Sequence, residues 1–404
     1  MQGRDVPIGT ADALPGRASG ATAVAHGVAC LVHVVTAGLL TGGLWLIVVG
    51  WETIVQPLIG LVLLGFAAQL RPRLGRLDPD LPTLRRADAP ALYALLDAVA
   101  DTAGVRRLDA VQLGTEFAVQ VHPYGIRRRR RLELGIPLWL SLAPQQRVAA
   151  VAHALGHVAA GDIRRGALVG GALRSLSAGM EFTRPRSGTV DSIPTVSPLD
   201  RHAGELASGR WRFNRRSQAA NAMLWIPGLL MTAAMRLLLR LTLPACRRTE
   251  FLADAVAART ASTSAAVGAL RDRQRLAEAV HAEVHRLAVA RRTFRRKSAW
   301  QSTDQDFWAE VAAHAAALPG LLLDTGKDPG HGDDVGSADP LPPAHATEPS
   351  GLPSLSSRLA RLSLEAEQPA TVVLDAAGAD AIEDELRVPK ELLARKVVQD
   401  CVAA

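Results

Sequence analysis

The sequence predicts a mainly α-helical protein with a small β-hairpin or edge sheet and an N-terminal transmembrane helical hairpin. Two apolar runs without charged side chains, residues 21–50 and 53–70, predict the membrane hairpin. Much of the remaining chain is rich in Ala, Leu and Arg, with apolar side chains at helical spacing. Strand-like runs interrupted by Pro and Gly occur between residues 108 and 140, which predicts one small β region.

The membrane hairpin occupies residues 21–70 and follows a polar tail over residues 1–20. Its first run is long enough to span a bilayer and too long for the apolar region of a signal peptide. The alternative is a buried hairpin in the core of a soluble protein, where so long an uncharged run is unusual. We therefore expect a lipid bilayer as one partner of the chain.

Charge predicts how the protein meets the membrane. The chain of 404 residues has a net charge of +7 and a pI near 10.0, which suits an anionic membrane face or a nucleic acid. No nucleic-acid motif accompanies this charge, so no nucleic-acid partner is expected. Arg71, Arg73 and Arg76 follow the second apolar run, whereas the connection around Trp51 contains no Lys or Arg. The positive-inside rule then predicts a multi-pass plasma-membrane protein whose main domain is cytoplasmic.

Composition divides the chain after the hairpin into three parts. Residues 71–323 predict one domain made of a series of helices and a strand pair. Residues 324–351 are rich in Pro, Gly and charged side chains and predict a flexible loop. Residues 352–404 then predict a closing helical segment of the same domain.

The helices of the main domain follow from apolar spacing and from proline. Pro144 favours a helix start, because proline is accommodated in a first helical turn. Arg236 and Arg240 interrupt an apolar helix and favour a membrane-surface or buried position over a third span. A loop is expected at residues 183–210. The predicted helices cover residues 87–104, 144–160, 164–179, 219–246, 247–261, 264–300 and 304–318.

A run of arginines, Arg127 to Arg131, begins the second strand of a hairpin whose turn contains Pro123 and Gly125. Charges on an edge strand can simply block unwanted strand pairing. Alternatively, the run contacts lipid headgroups or an acidic peptide, since each basic residue near an anionic membrane gains roughly 1 kcal/mol. The sequence leaves both interpretations open.

Two histidines on the helix of residues 144–160 form a candidate metal site. His153 and His157 are four residues apart, so both rings project from one helix face about one turn apart. This is the spacing of the metal-binding H-E-x-x-H motif, in which the glutamate acts as general base. The position of that glutamate holds Ala154.

A downstream helix supplies acidic partners for this pair. Glu250 and Asp254 share one helix face, and Glu250 can complete the common zinc set of two imidazoles and one carboxylate. Asp254 is placed to accept a hydrogen bond from a ligating histidine and to fix its ring. Asp162 could do the same after the first helix. The alternative is a helical membrane protein in which the two histidines are merely packed.

A second pair at the same spacing, His281 and His285, predicts no metal site. Glu283 follows the first histidine by two residues, which turns it about 200° around the helix and away from a shared ligand. The pair lies among charged residues, which is typical of a solvated helix face.

The run "AHALGHVAAGD", followed by "EFLAD" and preceded by a membrane hairpin, resembles the HtpX and CAAX prenyl protease group of integral-membrane zinc metallopeptidases. The resemblance extends over residues 25–365 and includes the closing stretch "LPSLSSRLARL". It implies a zincin-like metallopeptidase domain in which His153, His157 and Glu250 bind zinc. It also implies that an edge strand at residues 115–122 holds an extended peptide by strand addition.

The chain departs from this family where catalysis is concerned. Ala154 replaces the general base, Glu116 and Phe117 stand where the family has a Phe-Asn-Ala strand, and Leu352 replaces a histidine before Pro353. The missing carboxylate would both activate water and pass a proton to the leaving amine. Positioned acid–base catalysis is worth roughly 10² to 10⁴ in rate, and a methyl group supplies none of it.

Two functional hypotheses follow from this combination. The first is a zinc metallopeptidase of the HtpX type that cuts membrane-associated or misfolded polypeptides and is impaired by the loss of its base. The second is a zinc-binding pseudopeptidase that acts as a peptide-binding or regulatory module. Both require zinc and a polypeptide partner.

Overall fold

The computed structural model describes residues 20–50, 54–71, 75–125, 127–162, 166–183, 203–295, 306–324 and 352–400. The tail expected at residues 1–20 and the flexible loop expected at 324–351 lie almost wholly outside these residues. The chain divides into two compact units. One consists of Met1–Arg73 and Gly166–Pro244, and the other of Leu74–Arg165 and Ala245–Ala404.

The described residues are mostly helical and include one small mixed sheet, as the sequence predicts. In chain order the elements are α1 (Gly20–Val49), α2 (Val55–Leu70), β1 (Thr83–Leu84), α3 (Pro90–Thr102), β2 (Ala110–Gly114), β3 (Val119–Tyr124), β4 (Arg129–Gly135), α4 (Ile136–Ser141), α5 (Pro144–Ala159), α6 (Leu168–Thr183), α7 (Ala203–Ala261), α8 (Thr263–Arg295), α9 (Phe307–Asp324), α10 (Leu355–Leu364) and α11 (Ala376–Asp400). Every helix expected after the hairpin therefore has a counterpart in the structure.

Helix α7 is longer than the sequence predicts. The loop expected at residues 183–210 is wrong for residues 203–210, which are helical, while residues 184–202 lie outside the described chain. The helical part contains Ala, Glu, Leu and Arg, which favour a helix despite its two glycines. Pro227 and Pro244 lie inside α7 without ending it, and the two helices expected at residues 219–246 and 247–261 are one.

In the first unit, α1 and α2 pack against each other as the expected helical hairpin. A Cβ atom on Gly43 would lie 2.9 Å from the carbonyl oxygen of Gly60, and one on Gly60 would lie 2.7 Å from that of Gly43. The paired glycines thus allow the two backbones to approach closely, as small residues do between membrane helices. His33 Nε2 also lies 3.1 Å from the carbonyl oxygen of Leu168, at the start of α6.

Two of the described helical segments are long and apolar enough to cross a membrane, namely α1 and residues Trp225–Ala261 of α7. Helix α2 has 16 residues, fewer than the ~20 that a spanning helix needs. By length and composition alone, α2 thus falls short of a span and a segment of α7 reaches the required length. The apolar part of the α7 segment precedes Arg247, and Trp225 and Ile226 within it are exposed rather than buried.

In the second unit, the sheet has the strand order β1-β2-β4-β3. Strands β3 and β4 form the expected antiparallel hairpin, whereas β2 and β4 run parallel. Strand β3 lies at one edge of the sheet, and β1 lies at the other. Strand β3 begins at Val119 rather than at residue 115, because residues 115–118 form bends before the ladder starts.

The arginine run is divided between the sheet and the surface. The backbone N–H of Arg130 donates to Asp109, and the Arg131 guanidinium donates to Gln112 of β2. Arg127 to Arg129 are exposed. The run thus contributes two residues to the hydrogen bonds of the fold and three side chains to the surface.

The core of the second unit fixes the helix that carries the histidines. Val151 and Leu155 of α5 are fully buried and belong to the same apolar core as Leu134 of β4 and Trp139 of α4. Helix α8 packs along α5. Because one face of α5 is held by this core, the orientation of its remaining side chains is fixed as well.

Candidate metal centre

His153, His157 and Glu250 come together in the second unit. Each offers one ligand atom, and the three atoms lie within 4.8 Å of one another. The two Nε2 atoms are 3.3 Å apart, and the Glu250 oxygens lie 3.8 Å from His153 Nε2 and 3.6 Å from His157 Nε2. Tetrahedral coordination with metal–ligand bonds near 2.1 Å places ligand atoms about 3.4 Å apart. The group could therefore hold one metal ion.

A glycine brings the two ligand-bearing helices together. A Cβ atom on Gly156 of α5 would lie 2.7 Å from Ala253 Cα of α7, which no real side chain tolerates. Glu250 lies about one turn before Ala253, so this backbone contact brings its carboxylate to the level of the histidines. The spacing of the ligands thus depends on a residue without a side chain.

Asp254 and Asp162 lie behind the histidine rings, where the sequence places them. His153 Nδ1 is 3.0 Å from Asp254 Oδ1, and His157 Nδ1 is 3.6 Å from Asp162 Oδ2. In each ring the other nitrogen faces the cluster. A carboxylate behind a ligating imidazole fixes its tautomer and raises its basicity, which strengthens metal binding.

Arg358 of α10 completes the site and was not anticipated as a site residue. Its Nε and Nη2 donate to the two oxygens of Asp254 at 2.7 and 2.6 Å, and Nη2 lies 3.5 Å from Glu250. Both Arg358 and Asp254 are buried. The available signal was the first arginine of the closing stretch "LPSLSSRLARL".

Electrostatics keep Asp254 ionised. Burial by itself raises the pKa of the Asp254 carboxyl, but the two hydrogen bonds from Arg358 and the nearby His153 ring outweigh it and lower this pKa to about 2. Asp254 lies beyond the apolar part of α7, in the second unit. An ionised carboxylate is the form that holds the His153 imidazole with its Nδ1 protonated and its Nε2 free for a metal.

Ala154 contributes only its methyl group. Its side chain is 1% exposed and belongs to the apolar core. Glu250, Asp254 and Asp162 each already contact a histidine of the cluster. Each described carboxylate at the site therefore contacts a histidine, and the position of the general base is apolar.

The other sequence candidates lie away from this cluster. His281 and His285 are exposed on α8, and Glu283 is paired with Arg286 at 2.5 Å. Within the described part of the chain, the group of His, Cys, Asp and Glu side chains able to hold a metal is that of His153, His157 and Glu250.

The chemistry available to the site follows from its composition. Three protein ligands leave a fourth coordination position open, which is the arrangement of catalytic rather than structural zinc sites. The resemblance to membrane metallopeptidases rests on the sequence motifs alone. In comparisons with protein-family models, with curated proteins and with solved structures, nothing matches this chain.

Proposed function

We propose that this protein is a membrane-anchored zinc-binding pseudopeptidase of the HtpX type, which binds extended polypeptides and does not hydrolyse them at the rate of an intact zinc peptidase. The observation that carries the proposal is the combination of a complete ligand group with a buried methyl group at the position of the base. His153, His157 and Glu250 converge on one point, while Ala154 belongs to the core.

Zinc is the metal that suits this group best. Two imidazole nitrogens and one carboxylate are a frequent set in open zinc sites, whereas calcium and magnesium prefer oxygen ligands. Zinc, when bound, polarises a carbonyl oxygen as a Lewis acid. The residues of this chain hold and orient the ligands: Asp254 and Arg358 act on His153, and Asp162 acts on His157. Ala154 can neither take a proton from water nor give one to a leaving amine.

Strand β3 is the proposed binding site for the polypeptide. Gly135 N donates to Ala118 O, and Asp109 N donates to Arg130 O on the other side of β4. The backbone N–H and C=O groups of successive strand residues point to opposite sides of the strand. In the register of this hairpin, those of Val119 and Val121 therefore point away from β4, toward the free edge of the sheet. An extended peptide can add to these groups as a further strand.

The proposed anchor is the N-terminal hairpin. Helix α1 is long and apolar enough to cross a bilayer, and apolar side chains such as Leu31, Val34 and Leu44 are exposed on it. The arginines that follow α2 favour retention of the second unit on the cytoplasmic side. The proposed location is thus the cytoplasmic face of the plasma membrane.

A second candidate function is that of an active zinc metallopeptidase of the same type. It is favoured by the orientation of the histidines, since carboxylates stand behind both rings as they do in working zinc enzymes. This candidate requires a base from outside the described site, such as a group of the substrate.

The two candidates are separated by measuring metal content, peptide binding and cleavage on one purified sample of the full chain. Metal analysis is expected to give about one zinc per chain, and dye-labelled unfolded casein is expected to bind but to be cleaved near background. Cleavage at the rate of ordinary zinc peptidases, stopped by a chelator, would establish the active enzyme instead. Absence of both zinc and casein binding would reject both candidates.

A further inference from the structure

The turn of the β3–β4 hairpin carries exposed arginines that the proposed function does not use. Arg127, Arg128 and Arg129 are exposed where the turn leads into β4. The turn is closed by the backbone N–H of Arg128, which donates to the carbonyl oxygen of Gly125 at 3.1 Å. Consecutive positive charges thus stand in water at one end of the hairpin.

A short segment that precedes the sheet is fixed against the same turn. The backbone N–H of Gly125 donates to the carbonyl oxygen of Gly75 at 2.9 Å. A Cβ atom on Gly75 would lie 2.3 Å from the carbonyl oxygen of Pro123, so the two backbones are in contact. The next residue, Arg76, is also exposed. We call Arg76 together with Arg127 to Arg129 the arginine tip.

The positive charge of the arginine tip is not compensated within the described residues, where none of its side chains forms an ion pair. Other arginines of the same unit are paired, as Arg86 is with Asp97. Asp109, which precedes β2, is already bound by the backbone N–H of Arg130 and by the guanidinium of Arg106. The tip is therefore available to an anion from outside the chain.

The chain ties the arginine tip to the end of the membrane hairpin. Gly75 follows Leu70, the last residue of α2, by five positions, which span at most about 18 Å when fully extended. Arg71 and Arg73 follow α2 directly, and charged side chains are costly in hydrocarbon, so the chain leaves the bilayer core there. The Debye length is about 8 Å at physiological ionic strength. The tip is thus held within roughly two Debye lengths of the bilayer surface.

We propose that the arginine tip binds the phosphate groups of anionic lipids in the leaflet that faces the second unit. Arginine can donate two parallel N–H groups to one phosphate, which suits it to this partner. Tyr124, directly before the turn, is partly exposed, and tyrosine is enriched at membrane–water interfaces. This inference rests on the proposed membrane anchor, because the anchor keeps the tip near the bilayer.

An anionic bilayer suits this tip better than a soluble acidic polypeptide does. Each basic residue close to an anionic surface strengthens binding roughly fivefold, and the residues of the tip act together. The anchor also keeps the headgroups at a high effective concentration, whereas a soluble polypeptide must be recruited from bulk solution. Because the tip continues from β3, its binding would hold the proposed peptide-binding edge next to the membrane surface.

The experiment uses the full chain in nanodiscs of phosphatidylcholine alone or of equal parts phosphatidylcholine and phosphatidylglycerol. Hydrogen–deuterium exchange is followed in the peptide that covers residues 124–131. The anionic discs are expected to slow this exchange at least about threefold, because a lipid-bound turn opens to water less often. Sodium chloride at about 1 M, where the Debye length is about 3 Å, is expected to abolish the difference.

Two soluble anions test whether the partner is the lipid itself. Glycerol phosphate and oligoglutamate are each added to the phosphatidylcholine discs. Neither is expected to slow the exchange of the turn to the extent that phosphatidylglycerol does, because neither is held beside the tip by the anchor.

Substitutions in the turn provide the direct test. Arg127→Gln, Arg128→Gln and Arg129→Gln, combined in one chain, are expected to make the exchange equal in the two kinds of disc. Since these side chains are exposed, the melting temperature is expected to stay unchanged.

A matched control removes the same charge from exposed positions on α8 and α11. It is expected to retain the slower exchange of the turn in anionic discs. The control combines Arg271→Gln, Arg275→Gln and Arg387→Gln.

The outcomes distinguish the arginine tip from the anchor on which it depends. Equal exchange in both kinds of disc, or slowing that survives the glutamines in the turn, would overturn the tip and leave the anchor standing. Equal slowing by glycerol phosphate or by oligoglutamate would overturn the lipid as its partner. If the full chain enters neither kind of disc, the proposed anchor fails, and the inference fails with it.

Discussion

Arg358 holds Asp254 through two hydrogen bonds, of 2.7 and 2.6 Å, between residues 104 positions apart in the chain. Both side chains are buried, and Asp254 in turn lies 3.0 Å from Nδ1 of His153. The closing segment of the protein thereby contacts the candidate metal ligands through the carboxylate of Asp254. Stability and metal binding are therefore coupled at this pair.

Arg358→Ala is expected to lower both properties. Removal of one partner leaves a buried carboxylate uncompensated, which destabilises a protein by roughly 3 to 5 kcal/mol. Loss of an orienting partner also weakens metal binding by roughly 10- to 100-fold. Thermal unfolding and zinc competition with a chromogenic chelator measure the two effects. Arg361→Ala is the control, because Arg361 is exposed on the same helix, and equal effects of both variants would contradict the prediction.

His157→Ala or Glu250→Ala is expected to abolish the binding of one zinc per chain. Each change leaves two ligands, and two ligands do not retain zinc through purification. Metal analysis by plasma mass spectrometry is the measurement. His281→Ala changes the exposed second histidine pair on α8 and is expected to keep the full zinc content. Unchanged zinc content in all three variants would contradict the proposed metal site.

Ala154→Glu is expected to raise peptide cleavage by about 10²-fold or more, the scale of acid–base catalysis, if the rest of the site is intact. The glutamate would stand about 100° around the helix from His153. Cleavage of dye-quenched casein is the measurement. Ala154→Gln has the same size without a basic group and should stay at background.

A smaller gain from Ala154→Glu would have two separable causes. Position 154 is buried in the core, so the longer side chain must displace its neighbours, and a reduced melting temperature would reveal this. A normal melting temperature with little cleavage would instead implicate Glu116, Phe117 and Leu352. Equal gains from Glu and Gln would contradict a role for the carboxylate.

A chain that begins near Leu81 is expected to lose stable membrane integration. It lacks α1, which has the length and composition of a spanning helix, and retains α7, whose exposed apolar side chains can still bind a membrane surface. Extraction with alkaline carbonate should release this chain and leave the full chain in the membrane. Protease protection placing the second unit outside the cell would contradict the cytoplasmic orientation.

The sequence was sufficient to identify the candidate metal ligands because their placement depends on local helix geometry. His153 and His157 share a face of one helix by spacing alone, and Glu250 with Asp254 does so on another. Their convergence depends on Gly156 against Ala253, a contact that the motif does not contain. Motif spacing thus predicted the residues, whereas packing determines their distances.

Features that depend on contacts between distant segments could not be predicted. Arg358 contacts Asp254 only after α10 packs near α7. The parallel pairing of β2 with β4 also escaped prediction, since only the adjacent hairpin leaves a turn signal in the sequence. The continuity of α7 through Pro244 is decided by its surroundings rather than by local propensity.

The free edge of β3 is short, and this limits the number of backbone hydrogen bonds that a bound polypeptide could form with it. At Pro123 the edge ends, because proline has no N–H and because its carbonyl oxygen lies against Gly75, where a Cβ atom would approach it to 2.3 Å. Only Val119 and Val121 remain available, a stretch of about 7 Å. So few backbone hydrogen bonds would select a polypeptide in an extended conformation but would not fix its register. The register of a bound polypeptide would then depend on its side chains rather than on its backbone.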